Sequence, residues 1–101
     1  MEVPLIAARA HGVVWYRRDA YAEVLRAMRD ADVLPRRYDA WLKRAKQAEE
    51  QLGRRGIRSE RVYLDPGEFA RWCRAQGHDL DADGRLAYVN AVLADRYRDQ
   101  G

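Results

Sequence analysis

A chain of 101 residues, 48% hydrophobic with three Trp and six Tyr, can bury one core and excludes a multidomain architecture. Its single cysteine, Cys73, excludes an internal disulfide and points to a reducing compartment. The net charge is +3, from 19 basic and 16 acidic residues, and the basic residues are mostly interleaved with acids, as on a solvated surface.

Residues 1–12 are weakly patterned and read as an N-terminal arm, with residues 13–101 as one small helical α+β domain. The arm's apolar run, Val3 to Ala8, follows an acidic residue and is too short for a signal peptide. No stretch approaches the ~18–20 apolar residues that span a bilayer. A cytoplasmic protein without membrane contact is therefore expected.

Val13-Val14-Trp15-Tyr16 is a β-prone run bounded by Gly12 and by Arg17-Arg18-Asp19. Asp19 is placed to cap a first helix with Tyr21, Val24, Leu25 and Met28 on one face. Leu34-Pro35 ends that segment, because a residue before proline is pushed out of helical geometry. Tyr38, Trp41, Leu42, Ala45, Ala48 and Leu52 form the clearest helical stripe of the chain, with stops at Gly53 and Gly56.

Ile57 to Asp65 reads as a second short strand, Val62 and Leu64 alternating with Arg61 and Tyr63. Asp65-Pro66-Gly67-Glu68 then starts a third helix: Asp65 caps, Pro66 fits the first helical position and Glu68 closes a capping box. Phe69, Trp72 and Cys73 form its apolar face, and Gly77 ends it. A fourth helix runs from about Ala82 to Tyr97. Its expected buried stripe is Leu86, Val89, Leu93 and Tyr97, with Tyr88 and Val92 on a shoulder.

The expected fold is thus α+β and mostly helical, four helices with a two-stranded ribbon in the order β-α-α-β-α-α. Two helices between the strands reverse the chain twice, so the ribbon is expected to be antiparallel. Its open edges invite a homodimer, pairing with a second copy across a two-fold axis.

The pattern Trp15-Tyr16-Arg17, Leu34-Pro35-x-x-Tyr38-x-x-Trp41, Arg61-Val62-Tyr63-Leu64-Asp65-Pro66-x-x-Phe69-x-x-Trp72-Cys73, then Asp81 with Arg85, resembles a family of small uncharacterised bacterial proteins. The resemblance runs from about residue 13 to residue 97, and its most specific block is Asp-Pro-x-x-Phe-x-x-Trp-Cys. It implies an architecture and no activity, cofactor or substrate. The family tends to carry Thr or a similar cap where this chain has Arg37, and it often lacks the three aspartates discussed next.

Asp79, Asp81, Asp83 and Gly84 match positions 1, 3, 5 and 6 of a calcium-binding loop. Position 12 is Asn90, where a bidentate Glu is wanted, and Gly77 breaks the entering helix. Capping of the fourth helix by Asp81 or Asp83 is the favoured expectation, with a metal site at Asp79, Asp81 and Asp83 as the lesser alternative. Nucleophiles are scarce. The chain has one serine, Ser59, no threonine, and Cys73 on an apolar helical face, where a thiol is usually inert. His11 and His78 have no zinc spacing. Gly53-Arg54-Arg55-Gly56 lacks the strand and helix that a phosphate loop requires.

No catalytic residue, enzyme activity or cofactor is therefore expected. The leading expectation is a cytoplasmic module that binds another protein, with Trp15, Tyr16 and Arg17 as contact residues because Trp, Tyr and Arg are enriched at binding hot spots. The alternative partner is nucleic acid. Residues 1–58 hold 13 basic and 8 acidic residues, against 6 and 8 in residues 59–101. These charges are interleaved rather than gathered on one face, which favours a solvated surface.

Overall fold

The computed structural model describes residues 11–98. Residues 1–10 of the expected arm lie outside the described residues, as do residues 99–101. The elements are β1 (His11–Trp15), a 3-10 turn (Arg18–Ala20), α1 (Tyr21–Ala27), a second 3-10 turn (Ala31–Val33), α2 (Tyr38–Arg54), β2 (Ser59–Tyr63), α3 (Pro66–Gln76) and α4 (Ala82–Tyr97). The first strand begins at His11, inside the span expected to be arm.

β1 and β2 pair in parallel, His11 opposite Ser59 and Trp15 opposite Tyr63. This overturns the antiparallel ribbon. The two helices between the strands are not two full reversals, because α1 has only 7 residues, about 10 Å of helix. Its start is not capped by Asp19, which sits in the first 3-10 turn, and it ends in extended chain at Met28. α2 has 17 residues, roughly 25 Å, and makes the return alone. The connection is a βαβ crossover, the only kind that joins parallel neighbours. Two 3-10 turns also interrupt the simple β-α-α-β-α-α order.

Helices cover both faces of the ribbon. On one face Trp15 packs against Trp41 of α2, ring centroids 5.1 Å apart, and Arg61 makes a two-pronged bond to Glu49 of α2 at 2.8 and 2.9 Å. On the other face Gly12 lies against α4, so close that a Cβ there would meet Val89 and Leu93 at 2.5 Å. Glu60 of β2 accepts hydrogen bonds from Arg96 and Tyr97 of α4 on the same side. Val24, Phe69 and Cys73 are fully buried at the centre, with Val62 and Leu64 beside them.

α2 begins after Arg37, which is extended and lends no side-chain cap. α3 starts and stops where its residues dictate. The Asp65 carboxylate accepts from the Glu68 N–H at 2.9 Å, Pro66 occupies the first turn, and Gly77 takes a left-handed φ of 75° that lets the His78 N–H reach the Cys73 carbonyl. α4 is capped by Asp81, whose Oδ1 accepts from the Gly84 N–H at 3.0 Å.

The buried side of α4 is rotated from the expected stripe. Arg85, Tyr88 and Val89 face inward, while Leu86 is 59% exposed. The cause is Asp30, which grips Arg85 through two bonds of 2.8 Å and so turns that residue, rather than Leu86, toward the core. The turn leading into α4 is held equally tightly. The Arg29 N–H donates to the Leu80 carbonyl, and the Asp79 carbonyl oxygen would lie 2.0 Å from a Cβ on Gly84. Because that atom is backbone, Gly84→Ala is expected to lower stability by about 2–3 kcal/mol, as overpacking that cannot relax locally does. The readout is a lower urea midpoint at unchanged slope; an unchanged midpoint would refute so close an approach.

Candidate interaction surface

The three residues singled out as contacts divide between core and surface. Trp15 is 4% exposed and Tyr16 1%; both belong to an aromatic cluster with Trp41, Tyr21 and Tyr38. The Tyr38 hydroxyl donates to the Tyr16 carbonyl at 2.9 Å. Burial pushes the Tyr16 phenol up to about 12, and its hydroxyl has no hydrogen-bond partner among the described residues. Only Arg17 reaches solvent, where its guanidinium stacks 4.3 Å above the Tyr63 ring.

A two-stranded sheet has two open edges, and these two differ. The His11 N–H donates to the Arg58 carbonyl, and the Leu64 N–H to the Trp15 carbonyl. With the parallel register, His11, Val13 and Trp15 therefore direct their backbone polar groups at β2. Gly12 and Val14 direct theirs away from it. On β2 the outward residues are Ser59, Arg61 and Tyr63. That edge is covered by charge: Arg96 donates to the Arg61 carbonyl at 3.4 Å, Arg61 folds over the Trp15 ring, and Arg17 lies on Tyr63. Charged side chains of this kind discourage strand addition.

The β1 edge has no such protection. Its strand His-Gly-Val-Val-Trp contains no Lys, Arg, Asp, Glu or Pro, and no partner for it exists among the described residues. An apolar cleft lies along each side of it. On the α4 side Gly12, Val14, Ala82, Arg85, Leu86 and Val89 line a space of about 230 Å³. On the α2 side Val13, Val14, Trp15, Trp41, Arg44, Ala45 and Ala48 line a space of about 340 Å³, with Arg44 its one charged residue. Val14 belongs to both. An extended chain laid along β1 would place alternate side chains into the two clefts, since successive strand residues point to opposite faces. Sequence reasoning passed over Gly12, Val14 and Leu86. The available signal was a strand free of charge and proline.

The other candidate groups serve the fold. Asp79 pairs with Arg29 at 2.9 Å, Asp81 caps α4, and Asp83 is exposed in the first turn of α4. Among the described residues no three His, Cys, Asp or Glu side chains gather as a metal site needs. Cys73 is 0% exposed. Its thiol donates to the Asp79 carbonyl at 3.6 Å, and burial, with Asp81 and Asp79 nearby, pushes it up from its ordinary range. His78 stacks flat on Trp72, and His11 is exposed at the start of β1. Among the described residues no helix is long and apolar enough to cross a membrane. Comparison of the chain with protein-family models, with curated proteins and with solved structures returned no match.

Proposed function

We propose that this chain is a small cytoplasmic protein-interaction module that accepts an extended segment of a partner protein along β1, without catalysis of its own. The observation that carries this is the β1 edge, where Gly12 and Val14 present unpaired backbone groups between two apolar clefts. Strand addition draws affinity from main-chain hydrogen bonds and specificity from pockets for alternate side chains, and both are provided here. The cytoplasmic location is supported by the free thiol of Cys73. A nucleic-acid role for the basic half has less support, because three of its arginines, Arg18, Arg29 and Arg54, are tied to carboxylates.

Val14→Pro tests the proposal with little disturbance to the sheet. The Val14 N–H points outward, so proline there removes an edge donor and no β1–β2 bond, the one setting in which a strand tolerates it. In a pull-down from native cytoplasm, the proteins held by the unaltered chain are expected to survive nuclease and to be lost with Val14→Pro. Partners unaffected by Val14→Pro, or released by nuclease, would overturn the proposal. Circular dichroism matching the unaltered chain confirms that the variant is folded.

A further inference from the structure

We infer that the partner accepted at the β1 edge is the β1 strand of a second copy, joined antiparallel about a two-fold axis through Val13 to give a continuous four-stranded sheet β2-β1-β1-β2. The pairing rests on the strand-acceptor function proposed above and names its occupant. Its first support is self-complementarity. With Val13 facing Val13 of the partner on the axis, Gly12 stands opposite the partner's Val14, and Val14 opposite the partner's Gly12. Each of these pairs exchanges both N–H and both C=O groups, the close-bonded pair of an antiparallel ladder. The four outward backbone groups of each copy, the N–H and C=O of Gly12 and Val14, are then satisfied, and nothing is left over.

The side chains fit the same geometry. Gly12 offers no side chain where the partner's Val14 arrives, and it must remain glycine because α4 lies so close to it. The arriving valine enters the cleft lined by Ala82, Leu86 and Val89 and covers Leu86, one of the exposed large hydrophobics at 59%. On the other face, α2 lies over its own strand pair through the Trp41–Trp15 and Glu49–Arg61 contacts. Joining two strand pairs edge to edge separates their centres by two strand spacings, roughly 9–10 Å. That is the distance at which two helices pack, near 8–10 Å, and α2 presents the small residues Ala45 and Ala48, together with Arg44, toward the shared edge.

Charge also favours a copy of this strand over another segment of the chain. β1 carries no Lys, Arg, Asp or Glu, so the strand itself brings no like charge to the edge of a protein of net charge +3; of the two arginines that line the clefts, Arg85 is paired with Asp30 and Arg44 stands on α2.

The test is the mass of the purified full chain by light scattering at micromolar concentration, followed by amide exchange residue by residue. Twice the chain mass of 11.8 kDa is expected, falling to one chain mass for Val14→Pro. Leu86→Lys, at an exposed position that leaves the core untouched, is expected to weaken the dimer at least tenfold. Exchange should show Val13 and Trp15 protected at every concentration, and Gly12 and Val14 protected only where the dimer forms. A single-chain mass throughout would overturn the pairing. If capture from cytoplasm then remained sensitive to Val14→Pro, the strand-acceptor function would stand with a different occupant. A dimer indifferent to both substitutions, with Gly12 and Val14 exchanging freely, would also overturn it and would place the contact elsewhere.

Discussion

Replacing Asp30 by alanine is expected to cost this protein a large part of its stability. Among the described residues Arg85 is the one charged residue in the buried core, its side chain 10% exposed against 21% for Asp30. Breaking one partner of a buried pair costs about 3–5 kcal/mol, because the remaining charge is stranded away from water. The partial exposure of Asp30 places the loss near the lower end, about 3 kcal/mol. More than a pair is lost, since the Asp30 carboxylate also accepts a hydrogen bond from the Ala82 backbone, at the start of α4. Arg85→Met at unchanged Asp30 should cost less, because the apolar chain refills the site and the surviving carboxylate lies nearer to solvent. A difference in the opposite sense in urea unfolding would refute this account of the pair.

The same contact predicts a pH dependence of definite sign. The Arg85 hydrogen bonds hold Asp30 below its ordinary carboxylate value. A carboxyl depressed in the folded state contributes its stability above the unfolded pKa and loses it as pH falls through the folded one. Unfolding free energy of the natural chain should therefore decline from about pH 4 downward. Asp30→Ala should flatten part of that decline. Glu49 and Glu60, likewise lowered by Arg61 and by Tyr97 with Arg96, supply the remainder in both proteins.

The second large effect is expected at Phe69. It is 0% exposed, with its ring 5.3 Å from that of Tyr88 in edge-to-face contact, and it ties α3 to α4 at the centre of the core. Phe→Ala in a packed interior costs about 3–5 kcal/mol in transfer and cavity terms together. A domain of this size has about 5–15 kcal/mol in total. At about 4 °C or more per kcal/mol, the melting temperature should drop by at least 12 °C. Phe69→Leu, which refills most of the volume, should recover more than half of the loss. Equal melting temperatures for Phe69→Ala and the natural chain would mean that α3 does not dock as described.

What could be foreseen from the sequence was local. Asp65-Pro66 and Gly77 bracket α3 because capping, the proline position and the left-handed stop act within four residues of one another. The Tyr38–Trp41–Ala45 face of α2 was equally legible from its period. Strand direction was not, because it depends on whether α1 is long enough to count as a reversal, and Tyr21–Ala27 is not. The face of α4 was misjudged for a similar reason. Hydropathy selects Leu86, but Asp30, 55 residues away, selects Arg85, and no window along the chain contains both. Trp15-Tyr16-Arg17 looked like a contact because aromatic and basic side chains suit binding; the same chemistry suits a core cluster with a stacked surface arginine. The proposed site lies in backbone groups at Gly12 and Val14, which side-chain motifs do not report.

The parallel crossover also sets a clock on synthesis. β1 is complete once Trp15 is made, but its partner is not complete until Tyr63, with the whole of α2 in between. At roughly 5–20 residues per second, the ribosome takes on the order of 2–10 s to supply β2. For that interval the Gly-Val-Val strand has no neighbour on either side. Local helices form in about a microsecond, so α2 can wait, folded and amphipathic, for a sheet that does not yet exist. Crowded polysomes are therefore where this strand is most exposed to mispairing.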